Sequence, residues 1–231
     1  MGNGSDFFDA QLAKTDVFCF SEVYPDLHKG LSRMFTGFNN FYKEGGPSDY
    51  MDGKIDGQSI FLRKKWKISA HERYEIFKIS RKDIGILQFI SFKKGNSIIN
   101  IGNIHGMAFP GEKTDTSARI EQSEKIINYF NYKKGPKIIG GDFNLLPETK
   151  SVKMFEKAGY RNLIKEFDIK STRNKVGWEQ FKNDPGFVKQ YFADYVFVSP
   201  EVKVKNFEVP DIEVSDHLPL ILDFDFSNNQ Y

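Results

Sequence analysis

The sequence predicts a layered α/β protein, with two β-sheets packed face to face and helices outside them. Three observations lead there. Short apolar runs rich in β-branched residues recur at strand length, at 16–20, 59–62, 86–92, 98–104, 137–139, 195–198 and 218–226. Helical patterns are fewer and are mixed among the strands along the chain. The 231 residues include 23 Phe, an aromatic excess suited to broad sheets facing one another across a core.

A short amphipathic helical pattern at 6–13 leads into the first run, 16–20. The single cysteine, Cys19, lies inside that run and is expected to be a buried, inert thiol. The stretch 38–54, FNNFYKEGGPSDYMDGK, is polar, glycine-rich and aromatic, and is expected to line a cleft. The runs 59–62, 86–92 and 98–104 follow as strands. Ile120, Ile126, Ile127 and Phe130, with charges between them, predict a helix over 117–130. The run 137–139 enters the pair Gly140-Gly141, which by itself signals a tight turn or a close backbone approach. Thr149 caps a second helix that stops at Gly159. The segment 170–189 mixes Arg173, Lys175, Lys182 and Lys189 with Trp178, a combination suited to a nucleic-acid strand or to an ordinary solvated loop with a packed Trp.

The charges nearly cancel, with 33 basic and 31 acidic residues and a formal net charge of +2. That balance does not announce a polyanion binder, although a local patch is enough to steer one. One cysteine excludes an internal disulfide. No stretch reaches the length of a membrane span, and the N-terminus lacks a basic-then-apolar signal pattern, so a cytoplasmic protein is expected. With no repeat, linker or low-complexity tract, residues 1–231 are read as a single domain.

Acids, amides and histidines gather at strand ends. Glu22 follows VFCFS, Asn103 and His105 end IINIGNIH, and Asp142 and Asn144 end KIIGGDFN. Asp194 begins DYVFV, and Asp216 and His217 precede LPLILDF. A lone strand-end Asp is usually a turn former or a helix cap. Two of the four histidines together with several acids and amides, all at strand ends, are hard to read as turns. Hard divalent cations take oxygen ligands, and strand ends are rigid mounts for them.

These segments resemble the endonuclease/exonuclease/phosphatase superfamily. DVFCFSEV, GQSIFLRK, IINIGNIHG, KIIGGDFNLLP, FADYVFVS and VSDHLPLILDF stand in the family's order and span nearly the whole chain, and the GDFN and SDHLP pair is the most specific. The resemblance implies a four-layer α/β/β/α sandwich of two mixed sheets, with the active site where loops meet at one end of the sheets. It implies that Glu22 and Asp216 serve the metal, Mg²⁺ or Mn²⁺. It implies that Asp142 orients or deprotonates the attacking water and that Asn144 contacts the scissile phosphate or the metal. His217 is the essential histidine held by Asp194, and Asn103 with His105 contacts phosphate oxygens. An acid near the 59–62 run, Asp56 for instance, is expected to support His105. Arg173 and Trp178 are expected to contact substrate.

The resemblance also marks departures. The family's first strand, ending in an asparagine near the metal, is expected to be shortened or missing; Asn3 is the only early asparagine that could replace it. Ser21 stands where many relatives carry Gln. An absent strand leaves a slot that a second copy of the chain is expected to fill, giving a homo-oligomer. The leading expectation is a metal-dependent phosphodiesterase acting on DNA or RNA, without membrane insertion. A small-molecule phosphodiesterase or phosphatase, and a degenerate member that binds without cleaving, are the other two readings.

Overall fold

The triplet Ile60, Phe61 and Leu62 shows how the chain divides into layers. In a strand, side chains alternate between faces. Ile60 and Leu62 enter one large apolar cluster with Phe89, Ile101, Phe143 and Phe197, whereas Phe61 joins a smaller cluster with Phe35 and Phe38. All three are fully buried, so their strand is sandwiched. The computed structural model describes residues 4–49, 52–183 and 186–226.

The chain begins with helix α1 (Gly4–Lys14), β1 (Val17–Phe20), α2 (Pro25–Met34), β2 (Phe38–Pro47) and β3 (Ile55–Arg63). These strands make a three-stranded antiparallel sheet in the order β1-β3-β2. Its outer face carries Phe18, Phe20 and Phe61, covered by Leu12 of α1 and by Leu31 and Phe35 at the end of α2. Arg63 ends α1 by donating to the carbonyls of Leu12 and Thr15, which the last helical turn leaves open.

Next come β4 (Lys67–Tyr74), β5 (Leu87–Lys94), β6 (Ser97–His105), α3 (Ser117–Asn131), β7 (Lys137–Asp142) and α4 (Lys150–Lys157). Then follow β8 (Arg161–Asn162), α5 (Leu163–Glu166), α6 (Lys175–Phe181), β9 (Asp194–Val198), β10 (Val202–Glu208) and β11 (Ile221–Phe226). Six of these strands form a mixed sheet in the order β4-β5-β6-β7-β9-β8, with β6 and β7 its parallel pair. Helices α3 and α4 cover it. Phe130 of α3 meets Phe89 edge-on, and Phe155 of α4 stacks on Phe197 at 4.3 Å between centroids. The predicted four-layer α/β sandwich is therefore what the chain builds. Its second sheet comes in two parts, because β10 and β11 pair only with each other among the described residues.

Buried amides join the sheets at one end. Gln58 donates to the Asn103 carbonyl and accepts from the Ile86 N–H, and Asn103 Nδ2 donates to the Phe20 carbonyl at 3.0 Å. Every one of these polar groups is paired, as burial demands.

Three expectations need correction or limitation. Cys19 is exposed, not buried. It lies on the Val17 face of β1, and β1 has a partner only on its β3 side among the described residues, so the core is open there. Residues 38–47 are not a cleft loop but strand β2, paired along its length with β3. Asn3 lies outside the described residues, as do residues 50 and 51 of the expected cleft stretch.

Candidate active site

The ladder of the six-stranded sheet sets the site. His105 pairs with Asp142 across β6 and β7, and Asp142 pairs with Asp194 across β7 and β9. Three strand-end side chains thus stand in one row. Gly141 makes the row possible: its φ is +129°, and a Cβ there would meet the Ile104 carbonyl oxygen at 2.2 Å. Phe143, between the two polar residues of the motif, points into the core and packs edge-on against Phe155, Tyr195 and Phe197.

His217 comes from the loop before β11. It is anchored by a bridge between its backbone and that of Arg173 and by the Leu218 N–H donating to the Thr172 carbonyl. Its Nδ1 lies 2.8 Å from Asp194 Oδ2, and its Nε2 lies 3.9 Å from Asp142 Oδ2 and 3.7 Å from Asp216 Oδ2. Thr172 positions the Asp194 backbone, its hydroxyl accepting from the Asp194 N–H at 3.2 Å. The ligand-type atoms of Asp142, Asp194 and His217 lie within 4.8 Å of one another, a group able to hold a metal ion.

Burial alone would lower the His217 pKa, but the Asp194 carboxylate, helped by Asp142, outweighs it and pushes the value up to about 9. Asp142 is held below the usual carboxylate range: Lys113, His217 and His105 together override its burial. The pair at neutral pH is therefore an imidazolium beside an anionic Asp142. In the metal-free protein the His217 ring protons are expected to titrate near pH 9 by NMR; a midpoint at or below 6.5 would contradict the pairing. The stability that the pairing adds is complete below about pH 6.5 and is lost as pH rises through about 9.

Glu22 stands at the mouth of the site. It is the most exposed of these acids, its side chain 64% accessible, and Oε1 lies 3.6 Å from His105 Nε2. Asp56 is buried nearby and accepts the Gly57 N–H at 2.6 Å. Burial raises its pKa to about 6, with the Glu22 charge adding to the shift and His105 opposing it. No hydrogen bond joins either carboxylate to His105 among the described residues: Glu22 lies 3.6 Å away and Asp56 acts on it through its charge alone, so the expected hydrogen-bonded support by Asp56 is not what the structure has. Asp216 is held by Arg173, whose guanidinium lies 3.3 Å from Oδ2.

Arg173 is nearly buried, and its Nε is without a partner among the described residues. It borders a cleft of about 360 Å³ with Trp178, Lys170 and Asn174. Trp178 donates its indole N–H to the Gln190 carbonyl, and Lys189 sits 3.7 Å above its ring, so that face is already covered. Asn103 is at the floor, tied to Phe20. Asn144 is in the middle: its N–H donates to Asp142 Oδ1, its Nδ2 donates to the Gly106 carbonyl at 3.2 Å, and its Oδ1 accepts from Lys113 Nζ.

Lys113 and the buried Arg119 of α3 are absent from the sequence reading. The only local hint was GEKTDTSAR, a few residues after the N-x-H strand, where one lysine and one arginine flank the capping Thr116. Three site residues, Glu22, Lys113 and Asn144, have φ between +53° and +56°, in the left-handed region that non-glycine residues rarely enter. Such strain collects at functional sites.

A two-sheet α/β sandwich with strand-end acids beside a partly buried histidine–aspartate pair is the architecture of the deoxyribonuclease I-like class. The profile of the endonuclease/exonuclease/phosphatase family matches residues 3–217, and the chain belongs to that family. Among solved structures, the human Nocturnin catalytic domain with bound sulfate is 21% identical at a TM-score of 0.70, covering 97% of this chain and 86% of its own. The Bacteroides thetaiotaomicron mannosyl-6-phosphatase is 21% identical at 0.66, covering 97% and 96%. D. rerio TDP2 with a single-strand DNA product is 16% identical at 0.73, covering 96% and 90%. A search of curated proteins finds no match. No helix among the described residues is long and apolar enough to cross a membrane.

Proposed function

We propose that the protein is a divalent-metal-dependent phosphodiesterase acting on nucleic acid. The observation that carries this reading is the His217–Asp194 pair set beside anionic Asp142 at the strand ends. In the proposal His217, held by Asp194, donates to the phosphoryl group, and Asp142 orients and deprotonates the attacking water. His105 and Asn144 contact the phosphoryl oxygens, and Asn103 positions the end of β1. Asp216 holds Arg173 toward the substrate, and Arg173 and Trp178 meet the strand beyond the scissile bond. The similarity to TDP2, solved with single-strand DNA product, supports the nucleic-acid class.

The residues present fit a hard cation. Glu22 and Asp56 offer only oxygen, and burial, with the Glu22 charge adding to it, pushes Asp56 toward protonation. Glu22 is the proposed ligand at the mouth, with Asp56 behind it. Asp216, paired with Arg173 and 3.7 Å from His217 Nε2, adds negative charge on the His217 side of the site. A bound Mg²⁺ or Mn²⁺ would supply charge neutralisation on the phosphoryl oxygens. Glu22→Gln keeps the shape and removes the charge, so the Mg²⁺ concentration for half-maximal activity is expected to rise about tenfold or more. An unchanged requirement would remove Glu22 from the metal site.

Hydrolysis of bis-p-nitrophenyl phosphate with Mg²⁺, Mn²⁺ or EDTA tests the reading. Metal-dependent turnover extending to oligonucleotides supports it. Turnover of small esters alone would favour the second reading, a small-molecule phosphatase, to which the similarity to mannosyl-6-phosphatase lends support. No turnover with any metal would favour a protein that binds without cleaving.

The proposal includes self-association. β1 and β11 each have one unpaired edge among the described residues, and Val17, Leu222, Phe224 and Phe226 pack only partly buried against the main core. A second copy pairing at these edges would cover them. Light scattering across a dilution series reads this directly, and a monomer throughout would refute it.

A further inference from the structure

We propose that Lys113 is a substrate-binding group of this site, its ammonium taking a non-bridging oxygen of the phosphoryl group beside Asn144. The proposal rests on the phosphoester-hydrolase reading and adds a residue to it. Lys113 is 6% exposed, and lysines are almost never buried unless paired. Its one hydrogen-bond partner among the described residues is a neutral amide, Asn144 Oδ1, and no carboxylate lies within ion-pair distance of it there. Two of its three N–H donors are therefore without a protein acceptor. Its hydrogen bond to Asn144, whose N–H donates to Asp142 Oδ1, puts the ammonium beside the end of β7, where the Asp142 and Asp194 charges act on it.

The loop that carries Lys113 is locked on both sides. Arg119, wholly buried, donates to the carbonyls of Met107, Ala108, Pro110 and Thr114. Thr116 caps α3 by accepting the Arg119 N–H, and Asp115 accepts the N–H groups of Lys150 and Ser151 at the start of α4. The Lys113 carbonyl accepts the Leu146 N–H, two residues beyond Asn144. Within this frame the Lys113 backbone is held at φ +56°. A solvated lysine would need none of it. Negative charge grows on the non-bridging oxygens during phosphoryl transfer, and a fixed cation in a water-poor site stabilises it without reorganisation. A lysine suits a phosphate oxygen as a point charge.

The alternative is a counter-ion for Asp142 and Asp194 with no substrate contact, and the experiment separates the two. On bis-p-nitrophenyl phosphate with Mn²⁺, Lys113→Met is expected to lower kcat about ten- to a hundredfold, and Lys113→Arg less. Lys113→Ala is expected to recover activity saturably when methylammonium or ethylammonium is added, which a purely structural lysine would not show. In EDTA, inorganic phosphate titrated into the full chain is expected to shift the Lys113 Nζ resonance. Lys113→Met should weaken that phosphate binding at least tenfold, whereas Lys125→Met on α3 should not. The Nζ measurement uses the unaltered chain and stands even where a variant fails to fold. An Nζ resonance unmoved by phosphate, or a folded alanine variant that amines do not rescue, overturns the proposal. Wild-type protein that turns over no phosphoester would instead refute the hydrolase reading, with the phosphate titration still deciding on Lys113.

Discussion

His217→Ala lowers kcat on a phosphodiester by about 10²–10⁴-fold, the range that general acid–base groups supply. The ring carries a proton at neutral pH and reaches toward Asp142, its Nε2 lying 3.9 Å from Oδ2. Its partner Asp194 is 5% exposed, its carboxyl already pushed up by burial, and would be left without its charged partner, so part of the loss appears as reduced stability. A drop in melting temperature without a matching drop in kcat would make His217 a structural ion pair only. His217→Asn, which keeps a donor for Asp194 without the titrating ring, separates the two effects: it should restore stability and leave kcat low.

Asp142→Asn is expected to lower kcat by about 10²-fold or more, with KM little changed, since it removes the anion that handles water and keeps the side-chain shape. The Asn144 N–H still finds an oxygen at position 142, so the turn after β7 should survive, and circular dichroism should match the wild type. The substitution also removes one of the two anions that raise the His217 pKa, and the upper limb of the pH profile should move to lower pH. A variant with wild-type kcat would show that water is activated elsewhere.

What the sequence showed and what it hid follow one physical division. The strands read from apolar runs include β3, β5, β6, β7 and β9, which lie between two neighbours and are buried on both sides. The strands that were not read are β2, β4, β8 and β10, each with a partner on one side only among the described residues. Edge strands keep one side in water and carry charge to discourage further pairing. KISAHERY of β4 and VKVKNFE of β10 accordingly look like surface, although the alternation in β10 was available to be read. β1 and β11 are edges that were legible, because their apolar residues belong to a region of the core that this chain leaves partly open.

The candidate site divides the same way. Asp142, Asp194 and His105 were legible because strand ends hold short polar side chains rigidly, and the sheet register then brings them into one row; His217 was legible from its Ser-Asp-His-Leu-Pro run, although it reaches the row from a loop. The pairing of Asp216 with Arg173 and the covering of Trp178 by Lys189 depend on where two loops fold, which local pattern does not encode. Lys113 was hidden because a lysine in a Gly/Pro loop ordinarily reads as solvated. Only the burial of Arg119 and the four carbonyls it gathers reveal that the loop is turned inward.

The central claim is that Asp142 and the His217–Asp194 pair direct water onto phosphorus. Hydrolysis of bis-p-nitrophenyl phosphate in ¹⁸O-labelled water with Mn²⁺, read by mass spectrometry of both products, tests it most directly. The account predicts label in the phosphate monoester and none in the p-nitrophenol, with turnover abolished by EDTA. Label in the phenol, or no turnover with any divalent cation, would contradict it.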